Sequence, residues 1–128
     1  MRLLVDSNAL YWWWTKRERL TRAALEALRA DDSELYVSAA TAWELATKHR
    51  IGKLPGAEAF LPDFAELLEE SRMRPLRVEL IHALEAGGLP GLHRDPFDRL
   101  LVAQAMREDL GVVTADRVFK EYGLKVIW

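Results

Sequence analysis

The chain has 128 residues, 50% of them hydrophobic, with 18 basic side chains against 20 acidic ones and a net charge of −2. That length suits one domain with a proper core, and the charge balance advertises no polyanion-binding surface unless several acids are gathered around a cation. The absence of cysteine excludes disulfides, thiolate metal sites and cysteine nucleophiles, and it fits a reducing compartment.

The opening MRLLVDSNAL has an apolar run too short for a signal peptide, and nothing approaches membrane-spanning length, so a cytoplasmic protein without membrane segments is expected. Residues 2–5 are a short apolar run, and Leu3-Leu4-Val5 lacks polar alternation, as in a parallel strand covered on both faces. Asp6 then stands at the carboxyl end of a central strand. A helix is expected to begin within 9–14, whose three consecutive tryptophans point in different directions. At least one of them should reach the surface or an interface. Thr21 caps the next helix, with Leu20 and Leu25 spaced as a hydrophobic staple, and this helix runs to about residue 30.

Asp31-Asp32-Ser33 reads as a turn, Leu35-Tyr36-Val37 as the second strand, and Ser38 to about residue 50 as a helix ended by Gly52. Residues 58–71 read as one amphipathic helix with Phe60, Phe64, Leu67 and Leu68 on one side; Pro62 lies in its first turn or breaks off a preceding piece. Residues 74–76 are a short strand candidate, 79–86 a helix closed by Gly87-Gly88, and 89–92 a loop.

The loop leads into HRDPFDRLLVAQA at 93–105, the stretch around which the chain is organised. Pro96 suits the first helical position, which makes Asp95 the candidate N-cap and Asp98 the third helical residue. Leu100 to Ala103, Ala105 and Met106 leave little polar face, so this helix should be buried on most sides and closed by Gly111. Val112-Val113-Thr114 is another strand, with Asp116 just beyond it; 118–122 is a helical turn stopped by Gly123, and 125–128 is a last strand.

Short apolar strands alternating with helices predict a three-layer α/β domain spanning 1–128, with a central, mostly parallel sheet flanked by helices. Ligands of such sheets bind outside the carboxyl ends of the strands. Asp6 and Asp116 fall at such ends, Glu44 on a helix following another, and Asp95 and Asp98 open the helix that feeds the strand before Asp116. Each acid alone has a structural use: Asp95 and Asp98 complement a helix N-terminus, Thr41 and Glu44 match a capping box, and Asp6 and Asp116 can initiate helices. The capping box fails if that helix starts at Ser38. Jointly, the acids would crowd negative charge into one crevice, an arrangement proteins tolerate around a cation. Oxygen ligands without cysteine favour Mg²⁺, with Mn²⁺ possible, over Zn²⁺, and such an ion serves phosphodiester hydrolysis.

The segments LLVDSNALYW, ELYVSAATAWELATKHRIGKL, HRDPFDRLLVAQA and VVTADRVFKEYGLKVIW together resemble a PIN-domain ribonuclease, most closely a VapC-like toxin of a type II toxin–antitoxin pair. The resemblance covers essentially the whole chain. It implies a divalent-metal endoribonuclease with a quartet Asp6, Glu44, Asp98 and Asp116 and an accessory acid, Asp95. It also implies a cognate antitoxin and a homodimer. Asn8 departs from the pattern, since close relatives often have His or another small polar residue there. Ser7 is expected to bond Asp6 or a metal-bound water, or to cap a helix, and Thr114 to orient Asp116. Arg94 and Arg99 could meet RNA phosphates, as could Lys48, Arg50 and Lys53. His93 reads as a loop charge and His82 as structural.

The competing readings are a phosphatase or phosphotransferase with Asp6 as nucleophile, and a non-catalytic PIN-like binding module. Asn8 weighs against the phosphatase, whose usual pattern has a second acid there. The aromatic helix 11–14 and the helix around 60–68 offer more apolar side chains than one core face can use, and are expected to serve the dimer or the antitoxin. An empty acidic pocket would attract an Arg or Lys from the antitoxin.

Overall fold

β1 (Arg2–Val5) lies at the centre of a five-stranded sheet in a computed structural model that describes every residue except Leu92 and His93. Its neighbours are β2 (Glu34–Ser38) on one side and β4 (Gly111–Val113) on the other; β3 (Met73–Leu76) and β5 (Val126–Ile127) form the edges. Every pairing is parallel, with Leu4 opposite Tyr36 and Val112. The chain winds outward from β1 to β3 and then returns to the other side of β1. The winding therefore reverses between β1 and β4, which opens a crevice at their carboxyl ends.

Alternation along β1 divides the core. Leu3 and Val5 face a cluster fed by α1 (Ser7–Thr15), α2 (Arg22–Arg29), α3 (Ala39–Arg50) and α4 (Phe64–Glu70). Leu4 faces the opposite cluster, with Leu101, Val102 and Ala105 of α6 (Pro96–Glu108) and Val118 and Phe119 of α7 (Val118–Glu121). Leu3, Leu4 and Val5 are fully buried, each contributing about 2 kcal/mol of apolar burial. α5 (Leu80–Gly88) packs on α6, held by Arg107 to Glu85 at 3.0 Å and by His82 to Glu108 at 2.9 Å. The backbone N–H of Glu79 donates to Nδ1 of His82, so this buried histidine is structural as expected.

The strands fall where the apolar runs predict, and Thr21 caps α2 by accepting from the N–H of Ala24. Two local expectations are corrected. The helix expected over 58–71 breaks into 3₁₀ turns at Ala57–Ala59 and Leu61–Asp63 before α4 begins. Pro62 supplies no N–H to continue a longer helix, so it breaks off a preceding piece. α6 is ended by Asp109 in the left-handed region (φ 55°), not by Gly111. Gly111 instead lets strands approach: a Cβ there would meet Leu3 Cδ2 at 3.0 Å.

The aromatic helices pack largely within the chain, while Trp12 and Trp14 stay half-buried and so reach the surface as expected. Trp14 packs on Phe60 and Phe64, Trp12 on Trp128, and Tyr11 on Phe60. These rings serve the chain's own core. The large apolar residues left exposed among the described residues lie elsewhere, Trp43, Leu80 and Leu84 foremost.

Candidate active site

Asp6 is the N-cap of α1, at the point where β1 ends. Its Oδ1 accepts from the N–H of Ala9 at 2.8 Å, and its Oδ2 accepts from the hydroxyl of Thr114. Only 7% of it is exposed. Burial pushes its pKa from 3.8 up to about 6; the Thr114 and Ala9 hydrogen bonds hold it down, and the negative charges of Asp98 and Glu44 push it up further. Three of the expected acids therefore interact electrostatically in one crevice.

Thr114, fully buried just beyond β4, ties the two central strand ends together. Its hydroxyl donates to Asp6 while accepting from the backbone N–H of Asp116 at 3.0 Å. It thus orients the Asp116 backbone as expected, but its proton goes to Asp6. The Asp116 side chain is exposed and accepts from the N–H of Val118 at 3.0 Å, so it also initiates α7.

Glu44 comes from α3, which starts after an N-cap at Ser38, so Glu44 lies in the second turn and the Thr41–Glu44 capping box does not form. Instead it is buried: Oε1 accepts from the hydroxyl of Ser7, and Oε2 pairs with Lys48 Nζ at 2.8 Å. Ser7 therefore neither caps α1 nor bonds Asp6, and Lys48 is Glu44's partner rather than a free RNA contact. The spacing Glu44-x-x-x-Lys48 was the available signal for that pair. Thr41 shares Glu44's face one turn earlier, and its buried hydroxyl finds no partner among the described residues.

The α6 terminus forms as the sequence predicts. Asp95 caps it, accepting from Phe97 N–H at 2.9 Å and Asp98 N–H at 3.3 Å, with Asp98 third in the helix. Arg99 is turned away from an RNA role: its guanidinium donates to the carbonyls of Ala86 at 3.0 Å and Leu89 at 2.8 Å, at the end of α5. Asn8, Arg94, Arg50 and Lys53 are exposed. His93 lies outside the described residues.

Among the described residues no three His, Asp or Glu side chains stand close enough to hold an ion jointly. A preformed four-carboxylate cage is thus not present, and Glu44 is closed onto Ser7 and Lys48. The donor set still fits a hydrated hard cation, which takes one or two carboxylates and keeps several waters. Asp6 is buried with its charge opposed by Asp98 and Glu44, and the orphaned Thr41 hydroxyl lies on Glu44's face.

A parallel sheet with reversed winding beside its central strand, and acids gathered at that reversal, defines a doubly wound α/β domain with an acidic crevice. The model of the PIN domain family matches residues 3–125, and the chain belongs to that family. It is 32% identical to Ribonuclease VapC22 of Mycobacterium tuberculosis over 94% of this chain and 91% of that protein. Among solved structures it resembles VapBC2 from Rickettsia felis bound to a promoter DNA fragment, with a TM-score of 0.72, 19% identity and coverage of 98% of this chain and 97% of that one. It also resembles VapBC-1 from nontypeable Haemophilus influenzae, with a TM-score of 0.67, 18% identity and coverage of 98% and 96% respectively. At those identities the structural likeness concerns the fold.

Proposed function

We propose that this chain is a divalent-metal-dependent endoribonuclease, the toxin of a toxin–antitoxin pair, built as a single PIN domain. Asp6 and Asp98 are the proposed ligands of a Mg²⁺ ion, for which Mn²⁺ could substitute. Glu44 and Asp116 complete the acidic site, with Asp95 as the accessory acid that caps α6. The observation that carries this reading is Asp6, buried at the winding reversal and held by two neutral donors with two further acids opposing its charge. Uncompensated negative charge in such a place favours a cation. The ribonuclease name of the VapC22 relative supports RNA as substrate.

When bound, the ion supplies charge neutralisation at the scissile phosphate and a nucleophilic water at neutral pH. In the hydrolysis a water oxygen bonds to phosphorus and one P–O ester bond breaks. Thr114 and the N–H of Ala9 fix the Asp6 carboxylate, while Ser7 and Lys48 fix that of Glu44. Ser7 and Thr114 are therefore positioning residues, their hydroxyls taken up internally. Asn8 and Arg94, both exposed beside these acids in sequence, are the proposed contacts to RNA. The phosphatase reading is disfavoured because Asn8 stands where its usual pattern has a second acid, two residues after Asp6.

The similarity to the VapBC structures supports an antitoxin partner, and an Arg or Lys from it would pair with the acids of the metal-free crevice. A homodimer is proposed on the apolar residues that α5 leaves exposed, Leu80 and Leu84. A cytoplasmic location is proposed with the toxin reading; no helix among the described residues is long and apolar enough to cross a membrane.

The test is cleavage of a labelled single-stranded RNA by the purified chain in Mg²⁺ or Mn²⁺ against the same reaction in chelator. The proposal expects cleavage only with the ion. RNA binding without cleavage in either metal would instead identify a non-catalytic module.

A further inference from the structure

Trp43 is the one Trp, Tyr or Phe ring among the described residues that stands exposed, with 62% of its surface open to solvent. It occupies the α3 position immediately before Glu44 and meets Phe97, the α6 residue immediately before Asp98, edge to face with ring centroids 4.9 Å apart. The pair therefore bridges the two helices that bring Glu44 and Asp98 to the crevice. Phe97 is anchored in turn, since its N–H donates to the Asp95 cap. In the sequence Trp43 lies between Thr41 and Glu44, and no local pattern there marks a ring that stays exposed.

We propose that Trp43, backed by Phe97, is a stacking platform for one unpaired base of the RNA substrate; this rests on the nuclease reading above. Unpaired bases are bound sequence-tolerantly by stacking on aromatic rings, with cations following the backbone. The surroundings match a single nucleotide better than a protein partner. Trp43 shares its exposed stripe of α3 with Ala39, Ala46 and Arg50, a lone ring between small side chains and a cation. The core of a protein interface gathers several large apolar groups and sheds charge. Exposed Arg94 lies three residues before Phe97, so cations stand in sequence near both members of the pair. A base seated on Trp43 would hold its phosphate beside the crevice that contains Asp6.

The experiment measures KM and kcat for a short unstructured oligoribonucleotide with the full chain, and Kd by fluorescence anisotropy in the Asp98→Asn background, where cleavage does not intervene. Trp43→Ala should raise Kd and KM about tenfold, as expected for loss of one base-stacking contact, with kcat little changed. Trp43→Phe should restore most of the affinity, because it keeps a π face, and Met106→Ala at an exposed position near the far end of α6 should leave Kd at the wild-type value. Unchanged Kd and KM in Trp43→Ala, while the wild type cleaves normally, would overturn the stacking proposal alone. So would a change of oligomeric state in Trp43→Ala, which would mean that a second copy covers the ring. A wild type that fails to cleave at all would instead overturn the nuclease reading, and the anisotropy comparison would still decide the role of Trp43.

Discussion

Asp6 and Glu44 are both buried carboxylates facing one crevice, yet they are held in opposite ways. Among the described residues Asp6 receives only neutral donors, the Thr114 hydroxyl and the Ala9 N–H, and its pKa is pushed up to about 6. Glu44 already has a cation, Lys48, on the next turn of its own helix. The difference separates the two proposed roles: Asp6 is the proposed ligand of an external cation, whereas Glu44 has its charge balanced from within. It also explains why a quartet counted from sequence is not a preformed cage.

The largest expected effect is on activity. Asp6→Asn should reduce RNA cleavage by more than about a hundredfold, beyond the loss typical of a residue that merely supports a ligand. The same change should stabilise the metal-free protein. The folded pKa of Asp6 lies above its unfolded value of 3.8, so its favourable contribution is complete below that value and is lost as pH rises through about 6. Asp6→Asn should then be more stable than wild type by about 3 kcal/mol near neutral pH, and by little in acid. Thermal melts in chelator at the two pH values check this.

Lys48→Met is expected to act in the opposite direction. It leaves Glu44 buried without its cation and should cost about 1–2 kcal/mol, less than a fully buried pair because Lys48 is partly exposed. Adding Glu44→Gln to Lys48→Met should recover part of that loss. If Asp6→Asn and Lys48→Met shift stability in the same direction near neutral pH, the contrast between the two acids is wrong. The smallest effect belongs to Asp95→Ala, which removes a cap that accepts from two backbone N–H groups. It should cost about 1 kcal/mol in a melt and reduce cleavage less than Asp6→Asn does.

What the sequence disclosed is what short-range physics controls. Apolar runs located the strands, and cap residues at Thr21 and Asp95 located helix starts, because both depend on neighbours a few positions away. The acids at strand ends were legible because a parallel sheet brings its carboxyl ends to one edge. Beyond the local misplacements at Pro62 and Asp109, the errors at the site concern contacts distant in the chain. Ser7 reaches Glu44 across 37 positions, and Arg99 is claimed by carbonyls near the end of α5. The tryptophans show the same limit: Trp12 and Trp14 are taken up by Trp128, Phe60 and Phe64, and the exposed ring is Trp43. A local pattern supplies the rings without saying which of them the fold covers.

The most direct test of the metal-dependent acidic site is single-turnover RNA cleavage titrated with Mg²⁺ in the wild type and in Asp98→Asn, a change that can keep the α6 terminus while removing a ligand charge. The account predicts that wild-type cleavage rises from nothing in chelator to saturation with Mg²⁺, and that Asp98→Asn stays inactive across the titration while melting close to wild type. Cleavage that persists in chelator, or an Asp98→Asn variant that cuts RNA like wild type at limiting Mg²⁺, would contradict it.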